Sequence, residues 1–232
     1  LELLYLFGPA LTNDQVARFF SMAQAVLVKP DPALELEPDR RWMAGVYGRV
    51  REESGIVLGA MTDSLIKLRV YAEDNQRGDL MARVDALVKD LLADADAERW
   101  QSLQGWLRQL AEASPDEFLR SLDASLRRPD TPVRSLFSDQ SDDLFTGRSS
   151  HVHLLWALEI LAWSPRYLAR VCDVLARLGD VILPGGGGKL LIIAVMLSTI
   201  ATLETTLIQV SRSLFAMGRD NSDALAAARA FE

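Results

Sequence analysis

Two short motifs, Ser114-Pro115-Asp116-Glu117 and Ser164-Pro165-Arg166-Tyr167, stand fifty positions apart and decide the fold that we expect. In each motif a serine precedes a proline. This pair is typical of a helix start, because serine caps the helix and proline suits its first turn. In the first motif, a glutamate three positions after the serine completes a capping box.

The residues around the two motifs correspond at the same spacing. The matched positions are Trp106 and Trp156, Leu110 and Ile160, Phe118 and Leu168, and Asp123 and Asp173. Residues 99–128 and 149–178 are therefore each predicted to form helix, Ser-Pro turn, helix. Antiparallel helix pairs that repeat at this period are typical of HEAT-type α-solenoids, in which pairs stack to cover their apolar faces. The competing interpretation is coincidence, since Ser-Pro is a common helix opening.

Composition indicates a folded, acidic protein. Apolar residues make up 49% and charged residues 25% of the 232 residues, which excludes disorder, and the net charge of −7 argues against a nucleic-acid partner. A single cysteine, Cys172, cannot form an internal disulfide, so nothing indicates an oxidising compartment. Residues 1–7 are apolar without a basic region before them, so we interpret them as a fragment boundary rather than a signal peptide and expect a cytoplasmic protein.

The rest of the amino-terminal part predicts helices and no strands. A first helix capped by Thr12 or Asn13 is expected to run to about Val28, and a second is expected to begin at Asp39 after three prolines. Gly55 and Gly59 predict a break or a close helix contact. The helical pattern then continues to about residue 72 and resumes after Gly78. The apolar stripes include Val16, Phe19, Phe20 and Ala23; Trp42, Val46 and Tyr47; Leu65, Leu68 and Tyr71; and Leu80, Val84, Leu87, Val88 and Leu91.

The carboxyl-terminal part has a different character. We divide the chain into a helical domain over 1–182, a Gly-rich linker over 183–189, and an apolar helix and tail over 190–232, and we expect a long loop over 129–150. Residues 190–203 (LLIIAVMLSTIATL) carry no charge, and one continuous helix is predicted over 190–217, with Gly218 as its stop. The uncharged run is shorter than the roughly 20 residues of a membrane span.

Two environments are possible for this tail helix. In a soluble protein it must pack on the upstream helices, with Glu204 on the solvent side. The residues to be buried are Leu191, Val195, Leu203, Leu207 and Val210. In a membrane, Glu204 and Arg212 would have to face other helices, because charged groups are costly in lipid.

Two resemblances point to a composite chain. Residues 198–207 (STIATLETTL), Arg212 and residues 215–220 (FAMGRD) resemble one transmembrane helix of the amino acid/polyamine permeases, a family whose transport needs helices that are missing here. The stretches 154–159 (LLWALE), 161–165 (LAWSP), 175–178 (LARL) and 184–186 (PGG) resemble the helical region of large bacterial proteins, including STAND-type NTPases of antiphage defence. That resemblance spans about residues 35–190 and implies NTPase motifs outside this chain. The two resembling segments meet near residues 188–190. Such a junction is expected in a fusion, in a frameshift product or in two pieces numbered as one chain.

No residue pattern predicts catalysis, a cofactor or a metal. A phosphate loop has the pattern G-x-x-x-x-G-K-[ST]. In the run Gly185-Gly186-Gly187-Gly188-Lys189-Leu190, the first glycine of that pattern would fall on Leu183, and Leu190 replaces the final serine or threonine. These two departures favour a linker. The histidines at 151 and 153 would point about 200° apart on a helix and could share a metal only in an extended segment, where no third ligand is evident. Cys172 is expected to be a buried small residue, the five tryptophans core anchors, and Asp142 and Asp143 loop charges.

The sequence therefore predicts an all-α protein of stacked antiparallel helix pairs, HEAT-like or an irregular bundle. We expect the protein to be a non-enzymatic scaffold or protein-interaction region. One such role is the sensing arm of a larger bacterial protein. Three alternatives stay open: an artificial or chimeric chain with no evolved function, a membrane-transport fragment that contacts the membrane through 190–217, and a hydrolase with an unrecognised site.

Overall fold

The computed structural model describes residues 1–138 and 150–182, together with residues 189, 193, 204 and 207–212. Throughout these residues the regular structure is helical, with no strand, which confirms the all-α prediction. The α-helices are α1 Glu2–Phe7, α2 Asn13–Leu27, α3 Gly55–Asp74, α4 Gly78–Leu92, α5 Ala97–Ser102, α6 Leu107–Ala113, α7 Pro115–Arg127, α8 Ser135–Ser138, α9 Ser150–Ala162 and α10 Pro165–Ile182. Short 3-10 helices cover Gly8–Ala10, Pro32–Glu35, Pro38–Met43, Gln104–Trp106 and Pro132–Arg134.

Three helix hairpins stack side by side and form most of the molecule. They are α3–α4, α6–α7 and α9–α10, and in each the two helices contact one another across a short turn. Helix α6 packs between α3 and α9, while α7 packs between α4 and α10. The first helices of the hairpins therefore form one layer and the second helices form another, with the hairpin α6–α7 in the middle.

Apolar spacing explains why these helices pack as they do. In α4, the five residues that the sequence assigned to one stripe, Leu80, Val84, Leu87, Val88 and Leu91, are all buried. Helix α6 is short, but Leu107, Leu110, Ala111 and Ala113 are all fully buried because helices cover it on both sides. Burial of side chains such as these leucines is worth about 1.5–3 kcal/mol each, so the layered contacts are the main source of stability.

Helix α3 begins at the first of the two glycines that the sequence singled out. Its first residue is Gly55, and the hydroxyl of Ser54 accepts a hydrogen bond from the amide of Val57. Gly59 lies one turn into the helix, where an added Cβ would stand 3.3 Å from the ring of Trp106. Of the two outcomes predicted for the glycines, the structure therefore shows the close helix contact rather than a break.

Helix α2 begins with the capping box that Thr12 makes with Gln15, so Thr12 rather than Asn13 is the cap. A second α-helix from Asp39 was predicted wrongly, because Pro38–Met43 forms a 3-10 helix that ends in turns. Gly48 in these turns has a φ of +65°, which a helix cannot continue through.

The helix starts at both Ser-Pro motifs are confirmed, since α7 begins at Pro115 and α10 at Pro165. The capping box at Ser114 was predicted wrongly. The Ser114 side chain makes no capping hydrogen bond, and its hydroxyl donates to Asp85 Oδ1 at 2.6 Å instead. A capping serine accepts a hydrogen bond from a backbone amide of its helix. Here the hydroxyl is instead oriented by the charge-assisted hydrogen bond that it donates to α4.

The expected equivalence of Trp106 and Trp156 is contradicted. Trp106 is partly buried against the core, whereas Trp156 is 53% exposed. The helix that precedes the first Ser-Pro turn is also interrupted, since a 3-10 helix at Gln104–Trp106 separates α5 from α6. The helix pairs stack as expected, but these two differences remove the detailed match between 99–128 and 149–178.

Parts of the predicted tail helix can be placed. Residues 189, 193, 204 and 207–212 are helical, and Glu204 is exposed. Leu207 and Val210, which were expected to be buried on the upstream helices, are 58% and 50% exposed. Leu191, Val195 and Leu203 lie outside the described residues, as do 139–149, 183–188 and 218–232. Among the described helices, none combines the length and hydropathy needed to cross a membrane.

Candidate interaction surface

The arginine–aromatic loop, defined here as residues 38–51, exposes several large apolar side chains. Trp42 is 68% and Val46 83% exposed, and Tyr47 and Val50 are also exposed. A single exposed apolar residue is ordinary, but four within nine consecutive residues form a surface of the kind that binds other molecules.

The loop adopts a defined backbone. After the 3-10 helix at Pro38–Met43, the amide of Arg49 donates to the carbonyl of Ala44 at 2.8 Å, and Ala44 is buried beneath the loop. Arg41 Nε donates to the carbonyl of Leu36, two residues before the loop, at 3.1 Å. These contacts hold the aromatic side chains on a folded segment rather than a frayed one.

Charged contacts fasten the loop to the helices. Arg51 Nη2 donates to the carbonyl of Ser102 at 2.9 Å, and the amide of Asp31 donates to the Ser102 hydroxyl at 3.0 Å. Burial lowers the pKa of the Arg51 guanidinium, against the opposing effect of the Asp31 carboxylate. Near the same end of the loop, Arg49 pairs with Glu35 of the preceding 3-10 helix at 2.9 Å. The carboxyl-terminal end of the loop is therefore tied to neighbouring segments.

A lysine beyond the loop strengthens the attachment. Lys29 Nζ lies 2.5 Å from a carboxylate oxygen of Glu53 and 3.1 Å from one of Glu52. The hydrogen bond that Lys29 donates to Glu53 raises the pKa of Lys29 most, and the one that it donates to Glu52 adds to the effect. The bond to Glu53 also lowers the pKa of Glu53. These partners keep the chain on either side of the loop in register.

The loop is basic in an acidic chain. It contains four arginines, at positions 40, 41, 49 and 51, and one acidic residue, Asp39. Because the whole chain has a net charge of −7, this segment has the opposite sign from the molecule's average. Arginine beside exposed aromatic residues is the composition enriched at the centres of protein interfaces.

A second exposed apolar surface lies on the last described hairpin. We define the outer face as the exposed and half-exposed residues Val152, Leu155, Trp156, Leu168, Ala169, Cys172 and Ala176, on the helices α9 and α10. Trp163, in the turn between the two helices, is 80% exposed beside it. In the described part of the chain nothing covers this face, whereas the middle hairpin is covered on both sides.

The two histidines contact different aromatic rings. His151 stacks on Phe137 with ring centroids 5.5 Å apart, and His153 meets Trp156 edge to face at 5.7 Å. Burial lowers the pKa of His153, which favours its neutral form. Across the described ranges no group of histidine, cysteine and carboxylate side chains is arranged to hold a metal ion.

Two predictions about buried residues are wrong. Cys172 is exposed on α10 rather than buried. Of the five tryptophans expected in the core, only Trp100 is fully buried and Trp106 partly so, while those at 42, 156 and 163 are exposed. The expected loop charges Asp142 and Asp143 and the Gly-rich run at 185–188 lie outside the described residues, and Lys189 is helical and exposed.

One open depression of about 440 Å³ lies between the end of α4 and the start of α5. Its polar lining includes Lys89, Asp90, Asp94 and Asp96. Asp96 accepts a hydrogen bond from the amide of Arg99 and so caps α5. These side chains form part of a helix junction, and their arrangement does not pair an acid with a base.

Comparison with known proteins adds no relative: no protein-family model, curated protein or solved structure matches the chain.

Sequence reasoning missed the arginine–aromatic loop as a surface, because its apolar spacing was interpreted as the buried face of a helix. A usable signal was present. The segment has prolines before it, two glycines within it and arginines at both ends, a composition that favours an exposed turn over a core helix.

Proposed function

We propose that the chain is a non-enzymatic helical scaffold that binds a protein partner through the arginine–aromatic loop. The observation that carries this proposal is the 68% exposure of Trp42 on a loop whose carboxyl-terminal end is tied to α5 and to the 3-10 helix Pro32–Glu35. Exposed tryptophan on an ordered segment can bury a large area on binding without a large loss of conformational entropy.

The composition of the loop defines the partner's chemistry. An apolar pocket would receive Trp42 and Tyr47, and acidic side chains around it would pair with Arg40 and compete with Glu35 for the exposed Arg49. Surface charges of this kind speed association and fix orientation, while the aromatic residues contribute most of the affinity. We therefore expect a protein surface or peptide that is acidic and carries apolar residues.

Stacked hairpins suit this role. Contacts between α6, α7 and their neighbours hold the helices in a fixed order, so a surface loop on the stack has a stable position. A scaffold of this type acts as the sensing arm of a longer protein when binding of the partner changes the state of other domains. A cytoplasmic location is part of the same proposal.

A random peptide library displayed on phage tests the proposal. Peptides selected on the wild-type chain are expected to be acidic and to contain apolar residues. Their dissociation constants, measured by fluorescence anisotropy with synthetic peptides, are expected to rise about 30-fold for the Trp42→Ala variant, as for a truncated interface hot spot of about 2 kcal/mol. Because Trp42 is exposed, the variant should keep its helical circular dichroism.

Trp163→Ala is the matched control, since it removes a tryptophan that is even more exposed and lies in the α9–α10 turn. This variant should bind the selected peptides as the wild type does. Equal weakening by the two substitutions, or selection of peptides without acidic residues, would contradict the proposal.

A further inference from the structure

The outer face of the α9–α10 hairpin has the character of a buried interface. On α9, Val152, Leu155 and Trp156 recur at helical spacing among the less buried positions, with Glu159 as the charged member of that stripe. The opposite side of the same helix is closed, since Leu154, Ala157, Leu158 and Leu161 are buried. A helix that is apolar on both sides normally has neighbours on both sides.

Helix α10 contributes a narrower apolar strip. Its exposed residues Leu168 and Cys172, with the half-exposed Ala176, recur every four positions. Arg166 and Arg170 lie on another side of the helix and pair with Asp116 of α7 at 3.0 and 2.5 Å, while the exposed Asp173 and Asp180 border the strip. The end hairpin of a stack normally turns a polar face to water, whereas this hairpin exposes apolar residues beside its charged ones.

The tail offers an apolar surface of its own. The described tail residues are helical, and Ile193, Leu207, Ile208 and Val210 are all about half exposed or more. In the sequence, apolar residues recur every three or four positions. They are Ile192, Met196, Ile200, Leu203, Leu207, Val210 and Leu214. Gln209 falls on the opposite side of such a helix, about 200° around from Leu207.

We propose that the tail helix of one copy of this chain packs on the outer face of a second copy, and that the second copy's tail packs on the first. Among the residues that the structure describes, none covers either apolar surface, and both surfaces lie on the same molecule. Reciprocal packing covers both surfaces in both copies, and it closes as a two-fold symmetric dimer rather than an open filament.

Cys172 is a built-in reporter of this contact, because it is the chain's one cysteine and lies on the outer face. Light scattering of the full chain after size exclusion should give twice the 25.7 kDa chain mass. A bulky maleimide should label Cys172 slowly in concentrated solution, and labelling should become faster on dilution as the dimer dissociates.

Two variants on the same described turn make the test specific. Leu207→Asp should give a monomer in which Cys172 labels at least tenfold faster at the same protein concentration. Gln209→Asp introduces the same residue on the opposite side of the helix and should stay dimeric with slow labelling. Val210→Asp is the second disrupting variant, and circular dichroism checks that each variant keeps its helices.

Three results would overturn the proposal. One is a chain that stays monomeric with rapid labelling at every concentration. Another is a monomer whose Cys172 is protected independently of concentration, which would mean that the tail packs on its own stack. The third is a dimer that both Leu207→Asp and Val210→Asp leave intact. Trp42→Ala should not change the dimer, so this test is independent of the partner-binding experiment.

Discussion

Asp85 joins three helices through hydrogen bonds. It lies on α4, and its Oδ1 accepts from Arg69 of α3 at 2.7 Å and from the hydroxyl of Ser114 at 2.6 Å, directly before α7. Arg69 also donates to Glu73 on its own helix at 2.6 Å. Ser114 is fully buried and cannot reach water, so without this carboxylate its hydroxyl would donate no hydrogen bond. The contact fixes the first hairpin against the second.

Ser114→Ala is expected to lower the free energy of unfolding by about 1–2 kcal/mol. The substitution removes a hydrogen bond to a charged group, and the loss is moderated because Asp85 is partly exposed and keeps Arg69. Urea unfolding followed by circular dichroism measures it. Ser164→Ala, at the corresponding position before α10, should cost less, since its hydroxyl has no hydrogen bond to another described residue. Equal losses would show that Ser114 acts through local capping and not through Asp85.

Helices α7 and α10 are aligned by ion pairs along their length. Asp116, in the first turn of α7, contacts Arg166 and Arg170, and Asp123 lies 3.2 Å from Arg177 further along. All these side chains are partly exposed, so each pair contributes at most about 1 kcal/mol. Buried Val171, Val174 and Leu178 supply most of the stability of α10, and the ion pairs set its register on α7.

Helix α3 approaches the 3-10 helix at Gln104–Trp106 closely, since a Cβ added at Gly59 would stand 3.3 Å from the Trp106 ring. Gly59→Leu should lower the free energy of unfolding by about 1–3 kcal/mol, because its side chain must displace the Trp106 ring. Thermal unfolding measures the effect. Gly55→Leu, one turn earlier, has open space around its Cβ and should leave the melting temperature unchanged or raise it. A similar loss for both variants would mean that the contact with Trp106 is not tight.

At the level of elements, local sequence signals were sufficient where they coincide with helix ends. Proline at 115 and 165 restricts the backbone wherever the helix lies, so both starts were predictable. The stripe of α4 was predictable because its apolar residues have polar residues on every other side. The segment after Asp39 has similar apolar spacing, with Trp42 and Val46 four apart, yet it forms no α-helix. Spacing alone does not show whether a neighbour is present to cover a face.

At the scale of the molecule, the same reason explains the errors at the candidate surfaces. Trp100 and Trp163 are both tryptophans in helical surroundings, but one is enclosed by the stack and the other stands in a turn at its end. Cys172 and Leu168 lie on the side of α10 away from α7, where the described chain provides no further hairpin. Burial depends on how many hairpins precede and follow, and that information is not local. The all-α class was predictable, whereas the exposed surfaces were not.

The stacked hairpins supply the stability of the molecule, and the arginine–aromatic loop is the part that we propose binds the partner. The most direct test is hydrogen exchange of the wild-type chain, read by mass spectrometry with and without a selected acidic peptide. We predict slower exchange of the amides in residues 38–51 when the peptide is present, no change in α6 and α9, and no effect on the loop of the Trp42→Ala variant. Protection confined to α9 and α10, with the loop unchanged in the wild type, would contradict the assignment of recognition to this loop.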